Sequence, residues 1–137
     1  MILLDTPVLA ELLSATPSAQ VLAWFATQPA ATLHVSCLTE AELLTAAIRQ
    51  PQAKHLISLI DDMMDADFSG RVLPFDSAAA RDLAAINARS TLPAATAMTA
   101  AIARANGATL ATDTPEAYAA TGIATVNPYD PRPYDPR

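Results

Sequence analysis

The 137-residue chain has one cysteine, three glycines and a single lysine, and aromatic residues make up only 5% of it. Each scarcity excludes something. Cys37 has no partner for an internal disulfide and lies in an apolar run, so it reads as a small core residue. With three glycines, none in a glycine-rich loop after a strand, the dinucleotide fingerprint and the P-loop are excluded. Lys54 and seven arginines face 14 acids, giving a net charge of −6 and a pI of about 4.6. A strong electrostatic grip on nucleic acid therefore has no cluster of cations to rest on. Long hydrophobic runs are missing too: 52% of the chain is hydrophobic, but in short interrupted stretches that do not read as a membrane span. Asp5 and Glu11 stand where a secretory leader would be positive. The expectation is one soluble, cytoplasmic domain, long enough to bury a real core.

What is present begins with Met1-Ile2-Leu3-Leu4-Asp5. An apolar run without alternation that stops on an acid predicts a strand buried on both faces, with a carboxylate at its carboxyl end. Ligands of open α/β sheets collect outside the carboxyl ends of central strands, which makes Asp5 the first candidate for chemistry. Its alternative role is to cap the helix that Thr6-Pro7 opens. An aspartyl-phosphate phosphatase would need a second acid two residues on, where this chain has Pro7.

Helical spacing of Val8, Leu9, Leu12 and Leu13 predicts a helix over 7–15, and Val21, Leu22, Trp24 and Phe25 predict a second over 18–27. Trp24-Phe25 reads as a core or interface anchor, because no cation lies near it in sequence. Residues 31–36 form a second strand, with His34 as a structural histidine. In Cys37-Leu38-Thr39-Glu40-Ala41-Glu42, Thr39 and Glu42 have the spacing of a capping box. The same helix start, directly after a buried strand, would place Glu42 at the sheet edge of Asp5, and two carboxylates there can hold a hydrated magnesium ion. A helix over 51–67 carries Leu56, Ile57, Leu59, Ile60, Met63 and Met64 on one side and a solvated face of Asp61, Asp62, Asp65 and Asp67 on the other.

Beyond it the pattern predicts an edge strand over 71–75, a helix over 78–89 capped by Asp76-Ser77, and an alanine-rich helix over 93–106 ended by Gly107. Strands over 108–112 and 123–126 flank the turn Asp113-Thr114-Pro115 and a short helix over 116–120. Alternation of this kind predicts an α/β fold with a mostly parallel sheet. The pentapeptide Pro128-Tyr129-Asp130-Pro131-Arg132 then repeats as Pro133-Tyr134-Asp135-Pro136-Arg137, which sets a domain over 1–127 apart from an extended Pro-rich tail over 128–137.

Taken together, Asp5-Thr6-Pro7-Val8, Ala41-Glu42-Leu43-Leu44, Gly70-Arg71-Val72-Leu73-Pro74-Phe75-Asp76, Ala100-Ala101-Ile102-Ala103, Ala111-Thr112 and Asn127-Pro128-Tyr129 resemble the PIN domains of VapC-type toxins over residues 1–129. The resemblance implies a three-layer α/β/α domain that gathers acids at the carboxyl edge of its sheet, binds Mg²⁺ or Mn²⁺ and cleaves RNA. It also implies a homodimer held inactive by a VapB-like antitoxin. Carried over by position, the first family acid is Asp5, in a motif whose asparagine is here Pro7, and the second is Glu42. The third falls on Thr96 and the fourth on Thr114, with Asp113 one residue early. Asp5 and Glu42 are then the metal candidates, and Asp5, Glu42 and Asp113 the catalytic ones. The same resemblance places an antitoxin groove over Leu9, Leu12, Leu13, Leu22, Trp24 and Phe25, of which some should be exposed. Three readings are open: a toxin homologue whose nuclease is weakened or lost, a working metal-dependent ribonuclease, or a non-catalytic interaction module.

Overall fold

The computed structural model describes residues 1–130. Five parallel strands form one sheet in the order β3-β2-β1-β4-β5, with β1 Ile2–Leu4, β2 Leu33–Ser36, β3 Val72–Leu73, β4 Thr109–Ala111 and β5 Thr125–Val126. β1 lies in the middle, which explains why its sequence shows no alternation: Ile2 and Leu4 face one layer and Leu3 the other, all buried.

Helices cover both faces. On one, α1 Thr6–Leu12, α2 Ala19–Ala26, α3 Cys37–Ile48 and α4 Ala53–Ala66 enclose Ile2, Leu4, Val8, Leu9, Val35, Leu43, Ile60 and Met64. On the other, α5 Ser77–Arg89 and α6 Ala94–Ala105 pack against each other and over Leu3 and Leu110. Ala97, Ala100, Ala101 and Ala103 line the inward face of α6, and their small side chains let the helix approach the sheet closely. This is the expected three-layer α/β/α architecture.

Local chemistry sets most helix ends. Ser18 Oγ accepts from Val21 N–H, and Asp76 Oδ1 accepts from Ala79 N–H at 2.9 Å. Gly107 follows α6 with φ +61°, and Gly122 follows a 3₁₀ helix, Pro115–Thr121, with φ +74°, both in the left-handed region. The capping box expected at Thr39 and Glu42 is not there. Ser36 caps α3 instead, its Oγ accepting from Thr39 N–H at 3.1 Å, so the helix starts three residues earlier and buries Thr39 in its first turn. α1 is also shorter than expected, ending at Leu12.

Two ties reach across elements. The Arg71 guanidinium, stacked over Phe68, donates to the carbonyls of Leu33 at 2.7 Å, of Ala30, and of Asp67 at the end of α4. Glu11 of α1 accepts from Ser18 N–H at 2.6 Å and from the Tyr129 hydroxyl at 3.1 Å. The start of the Pro-rich segment thus packs on the domain, with Pro128 buried, while residues 131–137 lie outside those described.

Candidate active site

From β1 the chain moves through β2 to β3 on one side, then crosses to β4 and β5 on the other. The crevice outside the carboxyl ends of β1 and β4 is therefore the switch point of the sheet, where α/β folds bind ligands. Asp5 follows β1 there and Thr112 follows β4, and they are 9% and 0% exposed.

Asp5 is tied in from several sides. Its Oδ1 accepts from Thr6 N–H at 3.0 Å, and its backbone carbonyl accepts from Val8 and Leu9, so it does cap α1. Its Oδ2 accepts from the Thr112 hydroxyl at 2.8 Å and from the Tyr118 hydroxyl at 3.3 Å. Burial raises the Asp5 carboxyl above its ordinary range, opposed by the donors from Thr112, Thr6 and Tyr118 and reinforced by the charge of Asp113. Burial and the charge of Asp5 likewise push the Tyr118 phenol up, so it remains a neutral donor.

Hydroxyls continue the network. Thr99 of α6 is buried and lowers the Tyr118 phenol against the larger effect of burial, Thr6 and Thr39 meet at 2.9 Å between their Oγ atoms, and Thr112 Oγ accepts from Thr114 N–H at 3.2 Å. Glu42 lies three residues beyond Thr39 on the same face of α3, exposed, and its charge reaches Tyr118. Asp113 is exposed in the loop after β4. Thr96, half-buried, lies three residues before Thr99 on α6, and Thr114 is exposed beside Thr112. The loop after β4 brings Asp113 and Thr114 beside Asp5 and Thr112, and the charge of Glu42 reaches the Tyr118 that donates to Asp5.

The expected groove residues separate. Leu13 and Leu22 are 43% and 44% exposed, while Leu12, Trp24 and Phe25 are half-buried against the core. Leu9 is fully buried, because the side of α1 it occupies faces the sheet; it is a core residue and offers no surface to a partner. Leu13 also lines an apolar cleft of about 190 Å³ with Leu43, Ala46, Ala47, Gln50, Leu56, Leu59 and Ile60. A cavity of about 440 Å³ beside Arg89, Arg104, Gly107 and Gly122 lies at the amino end of β4, away from Asp5.

Comparison with known proteins gives this arrangement its context. The sequence profile of the PIN domain matches residues 2–118. The chain belongs to the PIN-domain family. Among relatives of this PIN domain, the plasmid stability protein StbB of Pseudomonas syringae pv. tomato is 36% identical, covering 95% of this chain and 99% of its own. The VapC ribonuclease Y4jK of Sinorhizobium fredii is 34% identical, covering 96% and 99%. The crystal structure of FitAcB from Neisseria gonorrhoeae superposes with a TM-score of 0.83 at 30% identity, over 94% of this chain and 99% of that one. The chain is thus a VapC-like member of the family.

VapC-type PIN nucleases generally depend on a divalent metal. In this PIN domain the donors around Asp5 are two hydroxyls and a backbone N–H. Among the described residues no three His, Cys, Asp or Glu side chains gather closely enough to hold an ion, and Asp5 Oδ2 is already taken by two hydroxyls. Sequence reasoning missed Tyr118, Thr99, Thr39 and Thr6. Thr112 carried the one available signal, its place directly after β4.

Proposed function

We propose that this chain is a VapC-like toxin homologue of a toxin–antitoxin system in which metal-dependent endoribonuclease activity is weakened or lost. The observation that carries it is the hydroxyl-for-carboxylate substitution at the switch point. The resemblance sets Thr96 and Thr114 at the positions of two family acids, and Asp5 accepts from the hydroxyls of Thr112 and Tyr118. Phosphodiester cleavage needs the charge on phosphate neutralised and water made nucleophilic, which metal ions do when enough carboxylates hold them. Threonine offers only a neutral, weak ligand. The proximity of Asp113 to Asp5 favours the rival reading, a working site of Asp5, Glu42 and Asp113. Calorimetric titration with Mn²⁺ separates the two. Weak heats, little changed by Asp5→Asn, and slow RNA cleavage are expected; Asp5-dependent binding with metal-dependent cleavage as fast as that of the Thr96→Asp/Thr114→Asp variant would overturn the proposal.

The scaffold retains an apolar surface suited to a partner. Leu13, Leu22 and the cleft along Leu43, Leu56 and Leu59 offer anchors for the amphipathic segment of a VapB-like antitoxin, or for a second copy of the chain in a homodimer. Among the described residues no helix is long and apolar enough to cross a membrane, and we place the protein in the cytoplasm as a toxin homologue.

A further inference from the structure

We propose that Tyr118 withholds Asp5 Oδ2 from divalent ions, by occupying with Thr112 both lone pairs of that oxygen. The inference rests on the reading of the chain as a PIN nuclease with a weakened metal site, and it adds a cause that the missing acids do not supply. An ionised carboxylate offers about four lone-pair sites. In Asp5, Thr6 N–H takes one on Oδ1, while the hydroxyls of Thr112 at 2.8 Å and Tyr118 at 3.3 Å take both on Oδ2. An ion approaching Oδ2 must displace one of them. Thr112 is held in place, since its own oxygen accepts from Thr114 N–H at 3.2 Å and fixes the loop after β4.

Tyr118 is the separable donor. Its ring fills the interior between the 3₁₀ helix and α6, only 5% exposed, and the Thr121 hydroxyl donates to its backbone carbonyl at 2.6 Å. The ring is thereby aimed at Asp5 by packing that does not need the hydroxyl. Phenylalanine would preserve that packing and leave one lone pair of Oδ2 unoccupied. Tyr118 is a positioning residue in this account: it acts on a metal only through Asp5.

The test is Mn²⁺ binding to the full chain, followed by the electron paramagnetic resonance of the free ion. Tyr118→Phe should bind roughly fivefold more tightly than the parent, the scale of one long hydrogen bond to a charged acceptor. The gain should be absent when Tyr118→Phe is added to Asp5→Asn. Tyr118→Met, which keeps apolar bulk without a donor, should reproduce the gain and guards against a packing effect peculiar to phenylalanine. Unchanged or weaker binding by Tyr118→Phe, or a gain that persists without the Asp5 carboxylate, would overturn the proposal. The ratio between variant and parent decides the role of Tyr118. The parent's own affinity and RNA cleavage decide the underlying reading of a weakened site.

Discussion

The Thr112 hydroxyl donates to Asp5 Oδ2 across 2.8 Å, joining the residue just after β1 to the residue just after β4, 107 positions later. The bond crosses the switch point of the sheet and ties the buried carboxylate of Asp5 to the loop after β4. A carboxylate held in this way leaves a measurable mark on stability.

Asp5→Asn should make stability less dependent on pH. Burial raises the carboxyl of folded Asp5 above its value in the unfolded chain, so the folded state binds more protons between the two values. The contribution of this group is therefore fully present below the unfolded value and declines as pH rises through the folded one. Urea melts from pH 3 to 7 should show a shallower decline for the variant than for the parent, and stability at pH 7 equal or greater. A steeper decline in the variant would contradict the assignment.

Thr96→Asp with Thr114→Asp should restore what the edge lacks. Four carboxylates would then stand at the carboxyl end of the sheet, gaining affinity for Mn²⁺ and metal-dependent cleavage of RNA. Without metal their mutual repulsion should make the variant less stable than the parent. With metal the order should reverse, because an ion that binds only the folded state stabilises it by mass action. Thermal melts with EDTA and with MnCl₂ check both signs.

Arg71→Met should cost about 1 kcal/mol in urea unfolding, the low end of what a stranded acceptor loses, because of the three bonds only that to Leu33 is part-buried. The guanidinium serves carbonyls at Ala30, Leu33 and Asp67, joining the approach to β2 to the end of α4. Lysine should rescue only part of the loss, since it lacks the planar fork. Full stability in Arg71→Met would show that water replaces the donors.

Leu22→Asp and Leu9→Ala separate partner surface from core. Leu22 is 44% exposed, so its charge substitution should change stability by no more than about 0.5 kcal/mol while weakening homodimer or antitoxin binding in light scattering. Leu9 is fully buried, and its truncation should cost about 3 kcal/mol.

Sequence alone determined the features that local physics controls. The uninterrupted Ile2-Leu3-Leu4 specifies a doubly covered central strand, because each successive side chain must find an apolar layer. Asp76 and Ser18 announce helix starts, and Gly107 an ending, because caps and left-handed turns are settled within a few residues. The place of Asp5 at a strand end was legible for the same reason.

Only the tertiary structure decided what those residues meet. Ser36 and Thr39 competed for the cap of α3, and Ser36 won because that register turns Thr39 inward to Thr6. Leu9 and Leu13 share a helical spacing in sequence, yet one is core and the other is surface, since α1 ends at Leu12 and the sheet covers only one side. Tyr118 gave no local sign of its role. Its hydroxyl reaches Asp5 only because parallel strands and their crossover helices bring residues 113 positions apart to the same edge, and no periodicity in a chain records which distant side chains will share a carboxylate.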